Sequence, residues 1–276
     1  MLAFVLVGIA AALALVWVIG AREPVFANSR GAPVWFVAWK GARAPRLADG
    51  VRLNWTSHAD FALIGTAEAY WTRFYILSGG APGATPIDLG EADDAYVARL
   101  KVFTPPRFAL GMLRVLTALG VLSKPKGEIT HDVQALGFRS DVMPSASAIA
   151  QLLAKPADYS PCMVNFLGYY GAARYKERRA DPGTGAAAYR RYGMVAMRTV
   201  YRTGGTLLFY GAVEEVLREA MAGPSVGAWH DIAAMRYPNP AAILSMEHAP
   251  EYRAALHHRD AGLDRTIVIA STQQTA

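Results

Sequence analysis

The sequence predicts an α+β protein in which βαββαβ units pack as an α/β barrel behind one N-terminal transmembrane helix. Three observations predict it. Met1 to Gly20 carries no charge, and about twenty such residues at ~1.5 Å rise each cross a ~30 Å hydrocarbon core. From Cys162 to Ala270 the patterning runs strand, helix, strand, strand, helix, strand, which is the ferredoxin-like order. The strands of that block are apolar on both sides, so a sheet shielded by helices on one face needs a second sheet against the other.

The 276 residues, 53% hydrophobic, suffice for one large or two modest domains. The expected division is an anchor over 1–21, a linker over 22–33, a block over 34–140 and a ferredoxin-like domain over 141–276. The 34–140 block shares a coarse element order with the last one. It reads either as a divergent ferredoxin-like half or as an accidental match, since elements agree without residues agreeing.

No Lys or Arg precedes the N-terminal apolar run, which separates it from a cleaved signal peptide with a basic n-region. Arg22, Arg30, Lys40, Arg43, Arg46 and Arg52 follow it against only Glu23 and Asp49. By the positive-inside rule this predicts a single-pass protein of the inner (cytoplasmic) membrane, its body cytosolic and membrane lipid its partner through the helix. A sole cysteine, Cys162, permits no intramolecular disulfide. The net charge of +6 is scattered, and no recognised nucleic-acid module is present, so nucleic acid is not an expected partner.

After the linker, Val34 to Trp39 suits a short strand, and Ala59 to Leu77, rich in Ala and aromatics and free of Pro, reads as a helix ending at Gly79-Gly80. Tyr96 to Phe103 has the alternation of a half-exposed strand, stopped by Thr104-Pro105-Pro106. Arg107 to Leu119 places Phe108, Met112, Val115, Leu116 and Leu119 on one helical side, with Gly120 closing it. Glu128 to Phe138 is a strand, and Ser145 caps a helix through Leu153.

Cys162 to Leu167 is apolar on both faces except for Asn165, the pattern of a strand buried on both sides. Thr184 to Thr203 is a helix with Tyr189, Tyr192, Ala196 and Thr199 on one side, ended by Gly204-Gly205. Thr206 to Gly211 and Trp229 to Tyr237 are strands. Asn239 as N-cap and Pro240 at the first helical position open a helix that is interrupted near Pro250 and ends by Gly262. Thr266 to Ala270 closes the set.

From "MPSASAIAQLLAKPADYSPCMVNFLGYYGAARY" through "GGTLLFYG" to "WHDIAAMRYPNPAAILSMEHAPEYRAALHHRDAGLDRTIVIAS", roughly Met143 to Ser271, the chain resembles the bacterial family catalogued as domain of unknown function thirteen-thirty. The resemblance implies a ferredoxin-like fold whose copies pair as dimeric α/β barrels, here as a homodimer or an intramolecular pseudo-dimer. It gives Gly204-Gly205, Pro238 and Tyr252 structural roles and implies no settled reaction. The N-terminal part of the chain lies outside it.

Five residues are candidates for ligand binding: Asn165, Tyr192, Trp229, Asp231 and Arg236. Asn165 is an amide in an apolar strand and needs partners or costs about 1–3 kcal/mol. Tyr192 fills core or lines a site. Trp229 and Asp231 fall on one strand face and Arg236 on the other by the period-two rule. Arg236 suits either an anion or a salt bridge, and Asp231 is the available general base. His248, His257 and His258 lack metal-ligand spacing, and the cations of His257-His258-Arg259 read as helix C-terminal charges. Related barrels bind haem, but no axial ligand stands out. Cys162 has no basic neighbour in sequence to activate it.

No cofactor is expected. The functional expectation is a membrane-anchored protein of unknown activity that binds a small molecule in the barrel. The alternative is a cofactor-independent monooxygenase or isomerase-like enzyme, which rests on fold analogy.

Overall fold

The computed structural model describes residues 2–24, 31–66, 68–81, 83–125, 137–177 and 180–274. Its strands are β1 (Val34–Lys40), β2 (Val51–Ile64), β3 (Arg73–Gly79), β4 (Asp94–Val102), β5 (Pro161–Tyr169), β6 (Thr206–Arg218), β7 (Asp231–Arg236) and β8 (Leu263–Gln273). Its helices are α1 (Leu2–Ala21), α2 (Arg107–Ala118), α3 (Ala146–Leu153), α4 (Gly185–Arg202), α5 (Pro240–Leu244) and α6 (Pro250–Gly262). The strand expected over 128–138 falls almost wholly outside the described residues.

All eight strands close into one antiparallel barrel in the order β1-β3-β2-β8-β5-β7-β6-β4. This corrects the expected fold class of ferredoxin-like units packed as an α/β barrel behind a transmembrane helix. The protein is a mixed α+β chain built on a single closed sheet. Hydrogen-bonded seams β2–β8 and β4–β6 join what were expected to be separate sheets. Closure leaves no unpaired strand edge, which is how a double-sided apolar sheet satisfies itself without a stacked partner.

Period two decides what faces inward. Phe36 on β1, Phe74 and Ile76 on β3, Tyr96 and Ala98 on β4, Val164 and Phe166 on β5, and Ile267 and Ile269 on β8 fill the interior. The same alternation overturns the helix expected over Ala59 to Leu77. Those residues are the end of β2, a turn opened by Gly65 at φ 115°, and β3. On the barrel's outside the first four strands are covered by loop residues such as Ile87 and Leu89, which pack on Trp35, Val37 and Leu77. Helices cover the last four, and α3 extends that layer onto the end of β2, where Phe61, Leu63 and Ile64 cluster with Ile149 and Leu152.

That helical layer forms where the sequence places its caps. Ser145 Oγ accepts from the backbone N–H of Ala148, Thr184 Oγ1 from Ala187 and Asn239 Oδ1 from Ala242. Gly204, at φ 86°, ends the turn after α4 as expected.

The expected membrane anchor and the inner-membrane location with a cytosolic body are also corrected. Among the described residues no helix is long and apolar enough to cross a membrane. The end of α1 is committed to the body instead. Val16 and Gly20 are buried against α2, and a Cβ on Gly20 would stand 1.8 Å from the Arg107 carbonyl oxygen. Just beyond the helix, Glu23 accepts from Arg114 at 2.7 Å. The part of α1 before Val16, from Leu2 to Leu15, reaches only about 21 Å at ~1.5 Å per residue, short of a ~30 Å core.

Candidate functional site

A cavity of about 840 Å³ lies between the outer face of β5–β8 and the helices above it. Its floor follows from alternation on β5 and β7. Cys162, Val164 and Phe166 point into the barrel, so Met163 and Asn165 point outward; Ile232 and Ala234 point in, so Asp231, Ala233 and Met235 point out. The wall opposite comes from α4 with Tyr189, Tyr192, Gly193 and Met197, and from α6 with Tyr252, Leu256 and Arg259. Six of the chain's nine methionines line the space: Met143, Met163, Met194, Met197, Met235 and Met246. Such unbranched, polarizable side chains make an apolar surface that adapts to its contents.

Three of the expected residues meet here: Asn165, Tyr192 and Asp231 all line the cavity. Asn165 donates its amide N–H to the Met163 carbonyl at 2.8 Å. No protein donor among the described residues reaches its Oδ1, so that acceptor is available to a ligand. Tyr192 shares a hydrogen bond of 3.1 Å with the Tyr252 hydroxyl.

Asp231 is held by two phenols. Its Oδ2 accepts from the Tyr169 hydroxyl at 2.6 Å and from the Tyr210 hydroxyl, and the two phenol oxygens are 3.2 Å apart. Burial, reinforced by Tyr189, Tyr210 and Asp231, pushes the Tyr169 phenol far above its usual range. Burial and the same carboxylate raise Tyr210. Both phenols therefore remain protonated and act as donors. The backbone N–H of Tyr169 donates to His230 Nδ1 at 3.1 Å, which assigns the imidazole proton to Nε2. Glu247, also on the cavity wall, has its carboxyl raised by burial, partly offset by Arg253.

The other two expected residues lie elsewhere. Trp229 is in the barrel interior, its ring 5.5 Å from Phe166 and its indole N–H donated to the Ser225 carbonyl at 2.8 Å. The period-two argument fails for it because regular pairing of β7 starts only at Asp231. Arg236 is half-buried at the far end of β7, where it donates to Gln273 Oε1 at 3.3 Å. Cys162 points into the barrel, and burial pushes its thiol up to about 12, so it is no nucleophile. His258 Nδ1 lies 2.7 Å from the Tyr175 hydroxyl, away from the cavity lining.

Sequence reasoning missed Tyr169, Tyr210 and Arg259. For Tyr169 the signal was available: it lies four residues beyond Asn165 on the same strand, hence on the same face. Gly193 was available as well, since an isolated glycine inside a helix costs about 1 kcal/mol relative to alanine and so asks for a reason.

The chain matches no known family profile and no curated protein. About half of it is similar to the crystal structure of RPA0582, a protein of unknown function from Rhodopseudomonas palustris chosen as a structural genomics target. The identity is 28% over 49% of this chain and 98% of that one, with a TM-score of 0.42. The methylated RPA0582 protein gives 27% identity over 49% of this chain and 95% of that one, again at a TM-score of 0.42.

Proposed function

We propose that this protein binds a small, largely apolar molecule in the cavity between its helices and the outer face of β5–β8. One observation carries the reading: about 840 Å³ of space walled mainly by Met, Leu, Val and Tyr, with a few converging polar groups. That size and lining are typical of small-molecule sites. The expectation of a pocket within the barrel is set aside, because aromatic rings fill the interior. The resemblance to the unknown-function family is compatible with this reading and adds no ligand to it.

Gly193 supplies the test. A Cβ built there meets nothing within 4 Å, so a large side chain on α4 would occupy the cavity without straining the helix. Gly193→Trp is expected to weaken binding of an uncharged fluorescent apolar probe such as Nile red at least about tenfold, while the thermal midpoint stays the same or rises. Unchanged probe affinity in a folded variant counts against the cavity as the site.

A second reading, an isomerase-like enzyme working without a cofactor, is favoured by Asp231. A carboxylate fixed by two phenol donors beside an apolar cavity is placed to take a proton from carbon next to a carbonyl and to return it. Its signature is deuterium entering a bound ketone in heavy water with the wild-type chain and not with Asp231→Asn. Equal incorporation by the two proteins removes Asp231 from that role.

A further inference from the structure

From the placement of Arg259 we infer that the ligand of this cavity is an apolar carboxylate whose acid group pairs with that guanidinium. This deepens the binding reading above and rests on it. Arg259 is only 8% exposed and lines the cavity from α6. Its Nη1 donates to the Val142 carbonyl and, at 3.4 Å, to Met143 Sδ, both neutral acceptors. Among the described residues no carboxylate lies within 4.0 Å of it. The similarly buried Arg202 shows the ordinary solution, since it is paired with Glu251.

A cation withdrawn from water carries a large desolvation cost that neutral acceptors offset only in part. A ligand carboxylate would complete the compensation, and the planar guanidinium presents paired donors of matching spacing. The surroundings fix the orientation. Tyr192, whose ring is 5.9 Å from the Arg259 guanidinium, and its partner Tyr252 offer hydroxyls on the same wall. Arg259 lines the α6 wall and Asp231 the β7 floor, so the cavity carries a cation on one side and a carboxylate on the other. A carboxylate is drawn to Arg259 and repelled by Asp231, and the apolar remainder lies along the methionines. A phosphate monoester, with two charges, is a poorer match to a wall that offers one buried cation.

Matched acid and alcohol pairs test this on the full chain: decanoate against 1-decanol, and 4-phenylbutanoate against 4-phenyl-1-butanol, titrated calorimetrically at neutral pH. The acid of at least one pair is expected to bind tenfold or more tighter than its alcohol. Arg259→Met is expected to erase that preference with alcohol affinity kept, and Arg259→Lys to retain part of it. Acid and alcohol binding equally well, or a folded Arg259→Met that keeps the preference, overturns the carboxylate assignment and leaves the cavity reading standing. Should no member of either pair bind, both readings fall together. The wild-type comparison decides the matter even if Arg259→Met does not fold.

Discussion

Replacing Phe166 with alanine is expected to lower the unfolding free energy by about 3–5 kcal/mol, the range for removing a fully buried aromatic ring. Phe166 is 0% exposed at the centre of the barrel interior. Its ring centroid lies 5.5 Å from Phe36, 6.5 Å from Phe74, 5.9 Å from Tyr96 and 5.5 Å from Trp229. These rings come from four different segments of the chain, so one side chain ties both halves together. Closure makes the loss hard to relieve, because each strand is held by hydrogen bonds on both sides and cannot move inward alone. Urea unfolding followed by circular dichroism measures the effect. A loss under about 1 kcal/mol would mean that the interior repacks freely, contrary to the close packing of folded cores. The milder Phe166→Leu should leave probe binding intact, because β5 presents Phe166 to the barrel and Asn165 to the cavity.

The same alternation on β5 marks how far the sequence could be read. "CMVNFL" announces a strand apolar on both faces and so buried on both, but it is silent on what buries each face. A stacked sheet and a closed barrel satisfy that pattern equally well. The difference lies in the seams β2–β8 and β4–β6, which are long-range pairings with no local signal. Helices of the C-terminal half were legible because Ser145 and Asn239 cap two of them through contacts three residues away and Gly204-Gly205 ends a third. Ala59 to Leu77 misled because composition outweighed alternation, and the bulges of β2 shift its faces partway along. Within the site, Asn165 and Asp231 were reachable from period two once the strands were known. Arg259 was not. Read as a charge at a helix end, it is in fact buried under the short 3-10 turn over Ser140–Val142 and the following Met143, a contact across 117 residues of sequence. The N-terminal apolar run was legible as a helix, whereas its docking depends on two glycines, Gly20 and Gly111, that admit close approach of α1 and α2.

Gly262→Ala is expected to cost about 3 kcal/mol, although the change adds a single methyl group. At Gly262 the end of α6 meets the start of α4 and the end of β5 with no side chain between them. Tyr170 donates its N–H to the Gly262 carbonyl at 3.1 Å, and Gly185 donates to the Tyr170 carbonyl at 3.1 Å. A Cβ on Gly262 would stand 2.6 Å from the Gly185 carbonyl oxygen and 2.8 Å from the Tyr189 nitrogen. Both are backbone atoms, which cannot swing aside as a side chain would, so relief requires the two helices to separate and places the cost at the upper end of overpacking. Gly193→Ala is the control on α4. Its Cβ meets nothing within 4 Å, and removing glycine from a helix interior should stabilise by about 0.5–1 kcal/mol. Opposite signs in denaturant unfolding are therefore expected from the same chemical change at two glycines of one helical layer. Because α4 and α6 together wall the cavity, separating them also displaces Tyr192 from Tyr252 and Arg259. Probe affinity should fall with stability in Gly262→Ala and persist in Gly193→Ala. A neutral Gly262→Ala would show that the helices slide apart at no cost, and the geometry that orients Arg259 would then lose its rigid support.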